Sequence, residues 1–347
     1  MNIAVKRAIG HTPVQVTPLG LGGTAFANMY SAVSEPAALD TIHAAYQAGI
    51  RYFDTAPLYG RGLSEMRLGA GLARLPRAEI VISTKVGYAL EPRPPEAIPK
   101  DLFENPLPFA TRFDYSRDGV LRSLESSLQR LQTDRVDIAL IHDPDESIST
   151  QRNFEPYAKS HFAEVMAGAY PALHDLRSQG VIKAIGLGMN QWQMLLDFAL
   201  AGDFDCFLLA GRYTLLEHAP SLPLLAVCEQ KGIAIVIGGP YNSGILATGA
   251  VPGAYYNYAP APPDILERTR QIEAVCARYG VPLPAAALQF PFGHPAVVSV
   301  IPGARSTGEV EANLRLWEHP IPPDFWHELQ DLGLVDAAAR LPIQAAG

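Results

Sequence analysis

The chain has 347 residues, 48% of them hydrophobic, and a formal net charge of −8. That is enough apolar material for a sizeable core. The acidic balance argues against a non-specific nucleic-acid binder and against docking on anionic membranes. Cys206, Cys228 and Cys276 make neither a disulfide framework nor a CxxC metal set, so reduced thiols in a cytoplasmic protein are expected.

The N-terminus, MNIAVKRAIG, lacks the apolar run of a signal peptide, and no apolar stretch approaches the roughly 20 residues that span a bilayer. Residues 6–20, KRAIGHTPVQVTPLG, read as a short hairpin placed to close the floor of a barrel. Eight β-rich apolar runs follow, at 16–23, 50–56, 79–87, 135–143, 181–190, 204–213, 232–240 and 296–304. Helical patterns lie between them, among them 35–50, 117–132, 220–232 and 263–280. Many open on Ser, Asp or Pro, and they stop at Gly49, Gly180, Gly232 or Gly280. Strands alternating with helical crossovers imply parallel pairing with both faces covered. Eight of them fit a closed (β/α)8 TIM barrel, an α/β fold, better than an open doubly wound sheet. No GxGxxG follows the first strand, and GLGG at 20–23 has the wrong spacing for a dinucleotide fingerprint. No linker is evident, so residues 1–347 read as one domain. Segments 91–110, 144–168 and 251–263 read as long loops after strands three, four and seven, over the mouth of the barrel.

Chemistry in such a barrel sits at the C-terminal strand ends. Strand two ends in RYFDTAPLYG, which puts Asp54 at the strand end and Tyr59 on the loop. Strand three ends at Lys85 and strand four at His142. A phenol is a weak acid at neutral pH, and a nearby ammonium lowers its pKa. A carboxylate holds that ammonium charged, and a histidine can orient a substrate oxygen. Taken singly, Asp54 is an ordinary helix cap and His142 a satisfied loop residue. Lys85, at the end of an apolar strand, needs a partner. Four such residues at consecutive strand ends make coincidence a poor explanation.

The phrases FDTAPLYG, STKVG and IHDPD resemble the aldo-keto reductase superfamily, and the similarity runs over nearly the whole chain, from PLGLGGTAF to VSVIPGARSTGEVEANL. The resemblance implies a nicotinamide-dependent oxidoreductase. Tyr59 would be the proton donor or acceptor, Asp54 and Lys85 its tuning pair, and His142 the substrate-orienting group. Within the superfamily, LGLGGTAFANMYSAVSE, AGRYTLLEH and GGPYNSGIL are similar to aldose 1-dehydrogenases acting on L-fucose, D-arabinose or L-galactose, and pyridoxal 4-dehydrogenases resemble these too. A small-molecule sugar substrate is therefore expected, with oxidation of its anomeric carbon to a lactone. The chain is expected to be a monomer or weak homo-oligomer, without metal. An NADPH-dependent aldehyde reductase and a cofactor-binding regulatory subunit remain open as alternatives.

The resemblance further implies that Asn190, Asn242, Ser243, Gly244, Gly303, Arg305, Glu309 and Asn313 bind the cofactor. Three positions depart from the family pattern. GLGMNQ stands where Ser-Asn is common, Ala210 where Gln is common, and Gly238 or Gly239 where an aromatic often stacks on the nicotinamide. Glu309 favours NAD, because a carboxylate suits a free ribose diol, while Arg305 leaves NADP possible. Phe26, Met29, Tyr30, Leu58, Asp143 and Arg212 are expected to line the substrate pocket. Asp143 has an equally good reading as a turn residue before Pro144.

Overall fold

The computed structural model describes residues 2–98, 100–146 and 160–343. Eight parallel strands pair in chain order: Leu21–Gly22, Tyr52–Asp54, Val81–Val86, Ile138–His142, Ala184–Met189, Cys206–Ala210, Ala234–Gly238 and Val297–Ile301. The first strand meets the eighth through the parallel bridges Leu19↔Val300 and Gly22↔Gly303, so the sheet closes into a (β/α)8 barrel. Alternation along each strand sorts the side chains into two cores. Tyr52, Ile138, Leu140, Cys206, Leu208 and Val236 fill the barrel's interior. Phe53, Ile82, Ile141, Leu187, Phe207 and Ile235 belong to the larger cluster packed under the helices.

Local chemistry fixes the helix ends. Ser34 caps Glu35–Gln47 by accepting from the Ala37 N–H, and Ser116 caps Arg117–Leu131 by accepting from Gly119. The helices Leu222–Lys231 and Pro263–Tyr279 stop at Gly232 and Gly280, whose φ of 69° and 65° only glycine adopts cheaply.

The N-terminal hairpin pairs Arg7–Ala8 with Gln15–Val16. It pushes Ile9, Val14 and Val16 against Tyr52 and Ile138, so it plugs the barrel floor with apolar side chains. Two segments read as loops contain hairpins of their own. Tyr88–Pro92 pairs antiparallel with Phe109–Phe113 after the third strand, and Tyr255–Tyr256 with Ala259–Pro260 after the seventh. Of the third expected loop, residues 147–159 lie outside the described residues.

Candidate active site

Register brings the four singled-out residues to one place. Asp54 lies opposite Ser83, Lys85 opposite Leu140, and His142 opposite Gly188. Each step moves two residues along the next strand, so all three side chains stay on the interior face near the mouth. Gly188 makes room for the lysine, since a Cβ there would sit 3.1 Å from Lys85 Cε. Tyr59 is delivered by the tight turn Tyr59–Gly62, in which Gly60 and Arg61 are left-handed.

The Lys85 ammonium donates to Asp54 Oδ2 at 2.7 Å and to the Thr55 carbonyl at 2.8 Å. The other carboxylate oxygen, Oδ1, accepts from Ser83 Oγ at 2.6 Å. Both charges are buried, 1% and 2% exposed. Such a pair survives burial because each charge is neutralised and each partner makes a further hydrogen bond, Lys85 to Thr55 and Asp54 to Ser83. Lys85 Nζ stands 4.6 Å from the centre of the Tyr59 ring. The His142 ring meets Tyr59 edge-on at 5.7 Å.

Part of the Tyr59 ring opens onto the cavity, yet protein surrounds it. Burial pushes the phenol well above its usual pKa, and the Asp54 and Asp143 carboxylates push the same way. The net direction is thus upward, although the sequence leads one to expect a depressed phenol beside Lys85. The ammonium is committed to Asp54, so Tyr59 faces a compensated pair rather than a bare positive charge. His142 is driven well below its usual pKa, by burial first and by the Lys85 charge second. Its imidazole is therefore neutral and can donate from one nitrogen and accept at the other. Its Nδ1 is buried and, among the described residues, without a hydrogen-bond partner.

Met29, Leu58 and Asp143, expected at the substrate site, line the cavity beside Tyr59, Lys85 and His142. Leu102, Phe103, Met189, Leu208 and Tyr258 complete most of that wall. Phe26 does not reach it. Its side chain is fully buried in the outer core, because the short turn Ala25–Ala27 tucks it inward. The cavity continues past Tyr30, Asn190, Arg212, Asn242 and Ser243, over Gly238 and Gly239. It then opens into a trough lined by Gly244, Gly303, Arg305, Glu309 and Asn313. Thr24 and Met29 border all three parts.

Several of these side chains are already engaged. Asn242 accepts from Thr214 Oγ1 at 2.5 Å and donates to the Gly211 carbonyl at 3.1 Å, tying together the loops after strands six and seven. Asn190 donates to the Ala210 carbonyl at 2.9 Å and to Tyr258 Oη at 3.3 Å. Arg212 donates to Asn257 at 2.7 Å. Asn313 accepts from Tyr241 at 2.7 Å. Glu309 Oε2 accepts from the Arg305 N–H at 2.9 Å, while Ser306 Oγ accepts from the Glu309 N–H at 3.3 Å. Ser306 thus caps the helix, and Glu309 ties down the residue before the cap.

Sequence reasoning missed Phe103 and Tyr258. Both arrive from the mouth hairpins, and only long-range packing brings them to the site. The sole local trace of the second is a pair of left-handed residues, Asn257 and Tyr258, with φ of 49° and 62°.

The trough suits a nicotinamide dinucleotide. A Cβ on Gly244 would meet nothing within 4 Å, and one on Gly308 only Ser306 Oγ at 3.9 Å, so backbone N–H groups can be approached closely there. The helix Thr307–Glu318 begins at the same place and presents its positive end. Among the described residues, no helix is long and apolar enough to cross a membrane, and no group of three or more His, Cys, Asp or Glu is placed to hold a metal.

The Aldo/keto reductase family profile matches residues 18–333. The chain belongs to the aldo/keto reductase family. As an aldo/keto reductase it is an NAD(P)-dependent oxidoreductase. It is 40% identical to pyridoxal 4-dehydrogenase of Microbacterium luteolum, over 96% of this chain and 99% of that one. It is 36% identical to D-threo-aldose 1-dehydrogenase of a Pseudomonas species, over 92% and 95%. Among solved structures, an aldo-keto reductase from Bacillus halodurans in its holo form superposes with a TM-score of 0.72 at 23% identity, covering 96% of this chain and 97% of that one. That likeness supports the barrel fold.

Proposed function

We propose that this aldo/keto reductase oxidises the anomeric carbon of a cyclic aldose, of the L-fucose, D-arabinose or L-galactose type, to the lactone. The observation that carries the reading is the convergence of Tyr59, the Lys85–Asp54 pair and neutral His142 on one cavity that runs into a trough bordered by a helix N-terminus. A bound nicotinamide nucleotide supplies the hydride acceptor. Tyr59, as phenolate, takes the hydroxyl proton from the hemiacetal. His142 donates a hydrogen bond to the same oxygen and fixes which C–H faces the nucleotide. Lys85, anchored by Asp54 and Thr55, holds a positive charge beside the phenolate as it forms and is consumed. Loss of proton and hydride from one carbon turns the hemiacetal into a lactone. In reverse, the same phenol protonates a carbonyl oxygen.

NAD is the nucleotide this reading favours. The Glu309 carboxylate borders the trough and repels a 2′-phosphate, which carries about −1.5 to −2 charges.

A second reading, oxidation of pyridoxal hemiacetal, has its own support. Met29, Leu58, Leu102, Phe103, Met189 and Leu208 make an apolar wall suited to a flat aromatic ring, and the 40% identical relative is a pyridoxal 4-dehydrogenase. Initial rates with L-fucose, D-arabinose, L-galactose and pyridoxal, each with NAD and NADP and with the lactone identified by mass, separate the two. Tyr59→Phe is expected to cut kcat by at least about 10²-fold while nucleotide still binds. Reduction of simple aldehydes with no lactone from any hemiacetal would sink the proposal.

A further inference from the structure

We propose that Asp143 is a specificity-determining residue, gripping a hydroxyl on the carbon next to the reacting one. Three observations lead there. First, Asp143 lines the same cavity as Tyr59, Lys85 and His142. Its Oδ2 is 3.5 Å from His142 Nε2, so a hydroxyl one carbon away from an oxygen held by that imidazole comes within reach of it. Second, the residue is 2% exposed; Tyr88 hydrogen-bonds to its carboxyl, yet among the described residues Oδ2 has no hydrogen-bond partner. A buried carboxyl oxygen left unpaired is costly unless something arrives to pair it. Third, the side chain is held in place. Its backbone N–H donates to the Gly188 carbonyl at 3.1 Å, and φ is 43°, a left-handed conformation that few side chains tolerate as well as aspartate.

Among the other polar side chains on this cavity, Thr24, Asn190 and Tyr258 also border the adjoining part over Gly238 and Gly239, whereas Asp143 borders only the part beside His142. The facing wall is mostly apolar, with Leu58, Leu102, Phe103 and Met189. Asp101, another carboxylate on it, is already committed to Arg61 at 2.7 Å and to the Phe103 N–H at 2.8 Å. Burial first, and Asp145 as a like-charged neighbour second, push the Asp143 carboxyl well above its usual pKa, against the opposing pull of the Lys85 charge and the Tyr88 hydrogen bond. A carboxyl shifted toward its protonated form both donates and accepts, which matches a hydroxyl group. Sites built to bond a substrate hydroxyl reject analogues that lack it far more strongly than apolar pockets reject a size change.

The assignment deepens the hemiacetal reading, on which it rests for the natural substrate: the hydroxyl would be the one on C2 of the aldose. Its test does not need that reading, because it runs in the reductive direction. Lactaldehyde and propanal differ by the hydroxyl in question. The ratio of their kcat/KM values, with NADH or NADPH, is measured for the wild type, Asp143→Asn and Asp143→Leu, each checked for folding by its melting temperature. The wild type should prefer lactaldehyde by about 10²-fold. Asp143→Asn, which still donates and accepts, should keep most of that preference. Asp143→Leu should lose at least about tenfold of it. A residue that merely propped up His142 would lower both substrates alike, so an unchanged ratio in Asp143→Leu overturns the proposal. So does a wild type that treats the two aldehydes equally. A wild type that discriminates between them yet makes no lactone would count against the hemiacetal reading alone.

Discussion

Tyr59 sits between two opposed demands. Oxidation needs its phenolate, yet burial and the Asp54 carboxylate favour the phenol. The oxidative rate should therefore climb with pH into the alkaline range, while the reductive rate, which uses the phenol, holds at neutral pH. Substitutions in the pair beneath it should move this profile in opposite directions. Lys85→Met leaves Asp54 as an uncompensated negative charge and should shift the oxidative profile upward by about one pH unit or more. Asp54→Asn frees the ammonium to act on the phenol and should shift it downward. Profiles of kcat/KM from pH 6 to 11 that coincide for both variants and the wild type would show that the pair does not tune Tyr59. These four residues were legible because each closes a strand inside a short motif, and strand ends in a barrel share one address. Phe26 was not, since a two-residue strand followed by a tight turn gives no alternation from which to read its direction. The Asp54–Lys85 pairing could be expected from a buried lysine's need for a partner, but not the 2.7 Å contact that leaves Tyr59 beside a compensated pair.

The turn that opens the helix Thr307–Glu318 carries two duties in one side chain. Glu309 holds the Arg305 N–H, and its charge borders the cofactor trough. Glu309→Arg would not tell them apart, because arginine removes the charge and the acceptor together. Glu309→Gln separates them: the amide oxygen can still accept from Arg305. If charge sets nucleotide choice, this variant should raise kcat/KM for NADP relative to NAD by about tenfold, or about 1.4 kcal/mol, with no loss of melting temperature. Ser306→Ala, by contrast, should cost about 1 kcal/mol of stability and leave the nucleotide ratio alone. A Glu309→Gln enzyme with the wild-type ratio would assign the choice to another group. The eight strands and main helices could be read from periodicity and caps, because those signals are local. The hairpin joining Tyr88–Pro92 to Phe109–Phe113 could not, because a proline-rich stretch of sixteen residues separates its two arms and no short-turn signal joins them.

The C-terminal segment is fastened to the barrel through His218. Its Nδ1 contacts the Thr214 carbonyl at 3.0 Å, and its Nε2 accepts from the Asp336 N–H at 3.0 Å. A carbonyl can only accept and an N–H can only donate, so the ring must be neutral, with the proton on Nδ1. Burial lowers its pKa to about 4. An unfolded histidine titrates near 6.5, so between those values the unfolded chain binds the extra proton, and stability falls as pH drops through that window. This one group should cost about 2 kcal/mol between pH 7 and pH 5. Urea unfolding at the two pH values should show a smaller loss for His218→Gln than for the wild type; equal losses would mean that His218 does not titrate on unfolding. Barrel closure has a consequence at the same scale, during the chain's own manufacture. Ser299 Oγ donates to the Thr17 carbonyl, 282 positions away, and the bridges that join the first strand to the eighth lie beside it. A ribosome adding roughly 5–20 residues per second takes on the order of tens of seconds to cover that distance. Throughout that interval the first strand has no neighbour on one side, and each newly emerged strand is the opposite margin of an open sheet, with bare N–H and C=O groups. Any sheet that forms before the eighth strand arrives therefore has two sticky edges, and closure covers both together.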